Sequence, residues 1–224
     1  MPTEYQKEAL KAQAVCARSY AIKQMAGKRL AALGAHVDDS VSFQVYNNLR
    51  EDAASIAAVN ETKGQVVFAE NQVAETYFYS VSAGVSAGIK EVWFAKKDRS
   101  YLMPCVLLGD SRKTLDLQKE ADFSEFLQGE IKSYDTNSPW YRWRTTVSEK
   151  QLQQFISEKI KSRYEKNPTQ IQTKQKDGTF FSTGQTELGE IKKVEILKRG
   201  KSGVAVMAQI TGSKNTLRIY TEYN

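Results

Sequence analysis

The chain has 224 residues, of which 26% are charged and 41% hydrophobic, a composition typical of a folded globular protein rather than a disordered one. Its longest apolar runs fall well short of the roughly 20 residues that a transmembrane helix needs, and the N-terminus is typical of a capped helix rather than a signal peptide. The net charge of +6 suits an anionic polymer, but no nucleic-acid motif accompanies it, so no nucleic-acid partner is predicted.

The first predicted helix covers residues 3–25 and contains one conspicuous carboxylate, Glu8. Thr3 and Gln6 have the spacing of a capping box, and the abundant small and apolar residues that follow predict a largely buried helix. A buried carboxylate is costly unless it is paired or protonated, so Glu8 either pairs with Lys11 or Lys7 on a partly solvent-exposed edge of the helix or has a functional role. Its face of the helix carries small side chains that would let a ligand approach: Ala12, Val15, Cys16 and Ser19.

The next elements predict a helix, a hairpin and a loop. A second helix is expected over residues 50–63, closed by Gly64. Residues 65–69 and 73–80 then read as two strands joined by a turn at Glu70 and Asn71. Residues 82–88 are mostly small, which predicts either a plain connector or a loop that a ligand can approach closely.

The second half of the chain predicts helices followed by an antiparallel sheet. A short helix is expected over residues 122–133, and the capping-box pair Ser148 and Gln151 begins another that ends near residue 160. The polar segment 161–178 reads as a mobile connector. Three strands follow, with a turn at Gly200 and Gly203 after the first of them: residues 191–197, 204–211 and 216–223.

Residues 139–144 mix aromatic and basic side chains. On a strand, Trp140, Arg142 and Arg144 would share one face, and Tyr141 and Trp143 the other. Aromatic faces beside arginines suit sugar rings and acidic groups, although a half-buried strand is the favoured interpretation.

The cysteines and the histidine offer little chemistry. Cys16 and Cys105 lack metal-binding spacing, and two buried thiols are favoured over a disulfide. His36, the only histidine, follows Gly34 and is expected in a loop, which excludes mechanisms that need two histidines.

Several motifs in order resemble the stage II sporulation protein D family. Residues 8–21 read EALKAQAVCARSYA, close to the family's EALKAQAVAARTYA after an initial Met-Pro, and residues 39–46 read DSVSFQVY. Further matches are AVNETKGQVV at 58–67, FYSVSAG at 78–84, where Ala83 replaces a glycine, and RGKSG at 199–203. Proteins of this family are bacterial peptidoglycan lytic transglycosylases, grouped with amidase enhancers.

The resemblance implies a role for Glu8 and a set of glycan contacts. Glu8 would be the catalytic acid and base that cleaves peptidoglycan between muramic acid and glucosamine units to give 1,6-anhydro ends. Burial would favour the protonated form that a general acid needs, whereas Lys11 and the helix N-terminus oppose it. The matched motifs imply these substrate-binding residues: Gln44, Tyr46, Tyr79, Ser80, Ser82 and Gly84. The alternative is a non-catalytic peptidoglycan-binding activator of a cell-wall amidase.

The chain also departs from the family. Ser42 and Phe43 stand where some relatives carry a histidine and a cysteine that help to bind zinc, so neither a metal nor another cofactor is expected. The family's GHGxGMSQYGA motif is absent, which suggests a partial copy or a trimmed chain. The resemblance places the protein outside the cell or facing the cell wall, with any membrane anchor in the full-length protein.

Together these features predict an α+β fold with an N-terminal buried helix packed on antiparallel sheets. Residues 1–110 would form the catalytic core with the Glu8 helix, and 111–190 a helical insertion or second lobe. Residues 191–224 would supply the C-terminal antiparallel strands that complete the core.

Overall fold

The computed structural model describes residues 2–40, 43–93, 99–107, 115–129 and 131–221. Helices and antiparallel sheets are both present, which confirms the α+β class. The chain forms two compact units, Met1–Ser80 and Val81–Asn224. The boundary between them therefore falls after Ser80, and the three-part domain division stays a prediction, since its first boundary at residue 110 lies outside the described residues.

The first unit contains two helices and a small hairpin: α1 (Lys7–Met25), α2 (Ala53–Glu61), β1 (Phe68–Ala69) and β2 (Gln72–Val73). The predicted capping box is wrong, because Gln6 rather than Thr3 occupies the N-cap position and makes no side-chain cap bond. The expected burial of α1 is not confirmed either, since only Leu10 and Ser19 are buried. Within its unit α1 packs mainly against α2 rather than on a sheet. The described residues of this unit contain one sheet, the hairpin of β1 and β2, and each of its strands has two residues.

Local signals explain α2 and the hairpin. The Asp52 carboxylate caps α2 by accepting bonds from the backbone N–H groups of Ala54 and Ser55, which confirms a helix within the predicted span. Glu70 and Asn71 both have positive φ, at 51° and 58°, as the tight turn between antiparallel strands requires. The turn is confirmed, although each strand has only two residues.

The second unit contains most of the regular structure. Its helices are α3 (Ile89–Val92), α4 (Glu120–Gln128) and α5 (Glu149–Lys166). Its strands are β3 (Val85–Ser86), β4 (Cys105–Val106), β5 (Ile171–Lys174), β6 (Phe180–Phe181), β7 (Ile191–Arg199), β8 (Ala205–Gly212) and β9 (Thr216–Tyr220). β3 pairs with β4, and the other five form an antiparallel sheet in the order β6-β5-β9-β8-β7.

The three predicted C-terminal strands are confirmed as β7, β8 and β9. The last was expected to reach residue 223, and its final two residues lie outside the described part of the chain. The turn after β7 is also confirmed: the Gly200 N–H donates to the Val204 carbonyl and the Gly203 N–H to that of Gly200, both at 2.9 Å.

Helix α5 and the sheet form the core of the second unit. Ser148 and Gln151 make the predicted capping box, with reciprocal bonds of 3.3 and 3.0 Å. Five buried apolar residues form the main cluster: Ile160, Ile171, Leu188, Ile210 and Leu217. Ile171 belongs to β5, so the predicted mobile connector over 161–178 is wrong. The short strand was hidden because only two of its residues, Ile171 and Thr173, are buried, in a polar stretch.

The predicted strand over 139–144 is also wrong, because the chain turns there. Trp140 and Trp143 are both exposed and Tyr141, between them, is buried, so the side chains do not follow the alternation of a strand. Ser138 starts the turn by accepting a bond from the Tyr141 N–H at its carbonyl, at 3.1 Å.

The two cysteines are free thiols. Cys16 is half-buried, and this burial raises the pKa of its thiol. Cys105 is exposed on the short strand β4, so the expectation of a buried thiol is wrong at that position. His36 lies outside regular structure after Gly34, as predicted. Among the described residues, no helix is both long and apolar enough to cross a membrane.

Candidate functional site

Glu8 lies in the first turn of α1, and 79% of its side chain is exposed. The Lys11 ammonium group donates to Glu8 Oε1 at 2.9 Å, as the i,i+3 spacing on a helix allows. The expectation of a buried Glu8 is therefore wrong, and the ion pair foreseen as the alternative is present. The carboxylate is accessible to a ligand that approaches this end of the helix.

Glu8 stands at one end of a row of four alternating charges, followed by Lys11, Glu61 and Lys7. Lys11 also lies 3.8 Å from Glu61 at the end of α2, and Glu61 accepts a 2.6 Å contact from Lys7. The hydrogen bond from Lys7 holds the pKa of Glu61 below its ordinary value, and the bond to Glu8 raises the pKa of Lys11. Lys11 therefore links the candidate catalytic carboxylate to the neighbouring helix.

Arg18 lies ten residues after Glu8 on α1 and attaches this helix to the C-terminal end of α2. Its guanidinium group donates to the carbonyls of Thr62 and Gln65, both at 2.8 Å, and to that of Val59 at 3.3 Å. The last carbonyls of a helix lack hydrogen-bond donors within the helix and carry partial negative charge. A guanidinium group supplies both the missing donors and a compensating positive charge. Arg18 had no predicted role, although an arginine among the small residues of a helix is a signal for such a contact.

Ser19 makes the second link from α1 to its surroundings. Its hydroxyl is buried, donates to the Val15 carbonyl at 2.7 Å and accepts from the Val67 N–H at 2.8 Å. Ser19 therefore connects the helix that carries Glu8 to the segment leading into the hairpin.

Two extended segments are attached further along α1. The Gln44 side-chain amide donates to the Ala17 carbonyl at 3.1 Å, and the Thr76 hydroxyl to the Cys16 carbonyl at 2.7 Å. Ala17 is nine residues beyond Glu8, which corresponds to about 13 Å along the helix axis. Gln44, a predicted glycan contact, is thus anchored to the helix but not brought next to Glu8.

The other predicted glycan contacts divide between the two units. Tyr46, Tyr79 and Ser80 are exposed in the first unit, and the Tyr46 hydroxyl donates to Asn48 Oδ1 at 3.4 Å. Ser82 and Gly84 belong to the second unit and are buried.

The geometry gives Ser82 a structural role. Its hydroxyl and its backbone N–H donate to Asp135 Oδ2 at 2.7 and 2.9 Å, and Ser82 Oγ accepts from the Gly84 N–H at 3.1 Å. Gly84 has a φ of 96°, which a residue with a side chain rarely adopts. The direct glycan contact predicted for Ser82 is not favoured, because its hydroxyl is already used within the protein.

The described residues contain no cluster of three or more His, Cys, Asp or Glu side chains that could hold a metal ion. Phe43 lies beneath the Arg29 guanidinium group, 4.4 Å from ring centroid to carbon. Ser42, the other residue at the family's zinc-binding positions, lies outside the described residues.

The fold and site define an α+β protein with an accessible, ion-paired carboxylate on a helix of small residues. Residues 1–68 match the family model described as "Stage II sporulation protein", which confirms the resemblance seen in the motifs. Residues 87–223 match the model described as "Domain of unknown function (DUF8618)". Because this second match covers more than half of the chain, the protein belongs to that family.

Curated relatives agree with the first match. The chain is 33% identical over 105 residues to the protein named Amidase enhancer of Bacillus subtilis (strain 168), which covers 44% of this chain and 14% of the relative. It is 33% identical over 107 residues to Stage II sporulation protein D of Bacillus amyloliquefaciens, covering 42% and 31%. The B. subtilis protein of that name is 32% identical over the same shares. The chain thus spans less than a third of each relative's length.

Proposed function

We propose that this chain acts on peptidoglycan as a lytic transglycosylase, with Glu8 as its catalytic acid and base. The observation that carries the proposal is the exposed Glu8 carboxylate, on a helix of small side chains inside the segment that matches the stage II sporulation protein family. One accessible carboxyl group is sufficient for this reaction.

The reaction needs two proton transfers at the same carboxyl group. Protonated Glu8 gives its proton to the glycosidic oxygen as the bond from that oxygen to C1 of muramic acid breaks. The resulting carboxylate takes the proton of the C6 hydroxyl while that oxygen bonds to C1, which leaves a 1,6-anhydro end and restores the acid. This differs from the two-carboxylate scheme of most glycosidases.

The ion pair with Lys11 sets a condition on this mechanism. The Lys11 ammonium group donates to Glu8 Oε1 at 2.9 Å, whereas the first step needs a Glu8 carboxyl group that donates its own proton to the substrate. A glycan strand laid over this end of α1 would exclude water and displace Lys11 toward Glu61, which already lies 3.8 Å from it. Substrate binding would then prepare the acid.

The same ion pair favours a second candidate function. A Glu8 that stays paired with Lys11 would make the chain a non-catalytic peptidoglycan-binding protein, and one relative carries the name Amidase enhancer. The partner would then be a cell-wall amidase. Either function places the protein outside the cell or facing its wall, with sporulation as the suggested setting.

The test is mass spectrometry of purified glycan strands after incubation with the protein. Glu8→Gln should abolish anhydromuramyl ends, because it keeps the shape of the side chain and removes the acid. Glu4→Gln, which changes an exposed carboxylate just before the same helix, should leave product yield unchanged.

The two candidate functions give different results in this assay. Product formation by the wild-type chain that survives Glu8→Gln would refute the assignment of Glu8. A wild-type chain that binds peptidoglycan and stimulates an added amidase, but forms no anhydro ends, would support the activator and exclude the transglycosylase.

A further inference from the structure

The segment 131–144 of the second unit presents two tryptophans to solvent. Trp140 and Trp143 are 72% and 73% exposed, although indole rings are among the side chains that gain most from leaving water. Contiguous exposed apolar surface is a common mark of a binding site, and these two indole rings lie three residues apart in the sequence.

Residues near the tryptophans fix the segment from within. Tyr141 is buried, and its hydroxyl donates to the Ile131 carbonyl at 2.5 Å, which joins the two ends of the segment. The Arg142 guanidinium group lies over the rings of Tyr141 and Phe126, 4.0 and 4.8 Å from their centroids. It also donates to the Phe126 carbonyl at 3.1 Å, so the segment is attached to helix α4. The tryptophans therefore extend from an ordered base.

The segment is also bonded to the turn at residues 82–84. Asp135 accepts the two bonds from Ser82, and Arg142 donates to the Ala83 carbonyl at 2.9 Å. This turn belongs to the FYSVSAG motif, for which the family resemblance implies contact with glycan. Since its serine is occupied by Asp135, the neighbouring segment is better placed to supply exposed binding groups.

We propose that Trp140 and Trp143 form a platform that stacks on hexosamine rings of a peptidoglycan strand. The C–H faces of a hexopyranose ring are apolar and pack on flat aromatic side chains, whose rings need no further ordering. Arg144, exposed next to Trp143, adds a cation that suits the lactyl and peptide carboxylates of the strand. The platform rests on the proposed function, since it takes the same glycan as substrate.

Binding of the full chain to purified peptidoglycan and to soluble N-acetylglucosamine oligomers tests the platform. The double variant Trp140→Ala/Trp143→Ala should bind both at least about tenfold more weakly, a loss of about 1.4 kcal/mol. Trp140→Phe/Trp143→Phe keeps flat rings and should recover much of this binding. Phe155→Ala/Phe181→Ala removes two exposed aromatic side chains elsewhere in the same unit and should bind as the wild type does.

The outcomes separate the platform from the function on which it rests. Wild-type binding by the double alanine variant overturns the platform, as does an equal loss in the Phe155 and Phe181 control. Loss of binding without recovery by phenylalanine also overturns the stacking role. Failure of the proposed function appears instead in the glycan products, whatever the tryptophan variants do. Anhydro ends that persist in Glu8→Gln refute the role of Glu8, and their absence with the wild-type chain excludes the transglycosylase.

Discussion

The two units of the chain are stabilised in different ways. In the described part of the first unit, three apolar residues are buried: Leu10, Ala58 and Ala74. The second unit buries larger side chains, among them the cluster between α5 and the sheet, Ile160, Ile171, Leu188, Ile210 and Leu217. Burial of a large aliphatic side chain contributes about 1.5–3 kcal/mol, and an alanine much less. The first unit therefore gains less from hydrophobic burial.

Side-chain bonds to backbone groups take the place of a large core in the first unit. Arg18 satisfies carbonyls at the end of α2, and Ser19, Gln44 and Thr76 attach α1 to the segments around it. Hydrogen bonds depend on direction and distance, so these bonds hold the helix that carries Glu8 in a defined position although few of its side chains are buried. The comparison predicts that truncating a buried apolar side chain destabilises the second unit most. Removing a hydroxyl group that bonds to the backbone should instead destabilise the first unit.

The largest expected effect follows truncation of the second unit's core. Leu217 is fully buried in β9, so Leu217→Ala should destabilise this unit by about 2–5 kcal/mol through lost burial and the cavity that remains. Hydrogen exchange in β5, β8 and β9 measures the effect as faster exchange. Leu197→Ala, the same change at an exposed position in β7, should cost far less, and equal losses would contradict the comparison.

A smaller but clear effect is expected from one hydroxyl in the first unit. Ser19→Ala would leave the Val67 N–H without its acceptor, which should cost about 1–3 kcal/mol. Faster hydrogen exchange at Val67 and in α1 would show it.

Ser162→Ala is the matched control for this hydroxyl. Ser162 is an exposed helical serine whose hydroxyl, among the described residues, bonds only to the carbonyl of Lys159 in its own helix. The change there should be neutral within about 0.5 kcal/mol. If both alanine variants are neutral, polar links do not hold the first unit.

The smallest effect concerns the exposed charges beside Glu8. The pKa of Glu61 lies below its ordinary value of 4.5, chiefly because of the hydrogen bond from Lys7. A lowered folded-state pKa contributes stability that is present above the ordinary value and is lost as pH falls through the folded one. At pH values above about 5, Glu61→Gln should therefore lower the melting temperature by a small amount. In stronger acid the substitution should make no difference.

The second unit offers a parallel to this pH dependence. Glu120 also has a lowered pKa, chiefly because of its hydrogen bond with Arg199, so Glu120→Gln should follow the same pH dependence. Glu4→Gln, outside both networks, should not. If the difference in melting temperature between Glu61→Gln and the wild type stays constant from neutral pH to acid, the charge network does not stabilise the first unit.

Much of the fold could be predicted because its signals are local. The capping box at Ser148, the turn at Glu70 and Asn71, and the three C-terminal strands depend on neighbouring residues and are confirmed. The failures required information from distant residues. Strand β5 exists because its backbone pairs with β9, 44 to 48 residues further along the chain, and nothing in its polar sequence predicts this pairing.

The candidate site divides in the same way. The sequence identified Glu8 and the motif around it, and the family match confirms the resemblance on which that choice rests. An exposed carboxylate paired with Lys11 was one of two alternatives, and the sequence could not decide between them, because exposure depends on which elements pack against the first turn of α1. The same holds for Ser82, whose partner Asp135 lies 53 residues away.

The sequence by itself determined the approximate positions of α1, α2, α4 and α5 and of two turns, the α+β class and the family of the N-terminal segment, because these follow from residue types at short spacing. The tertiary structure decided which polar groups meet: Arg18 with the end of α2, Ser82 with Asp135, and Arg142 with Ala83. It also decided that Trp140 and Trp143 face solvent while Tyr141 is buried. Burial and long-range hydrogen bonds are properties of the whole chain packing together, and no local pattern contains them.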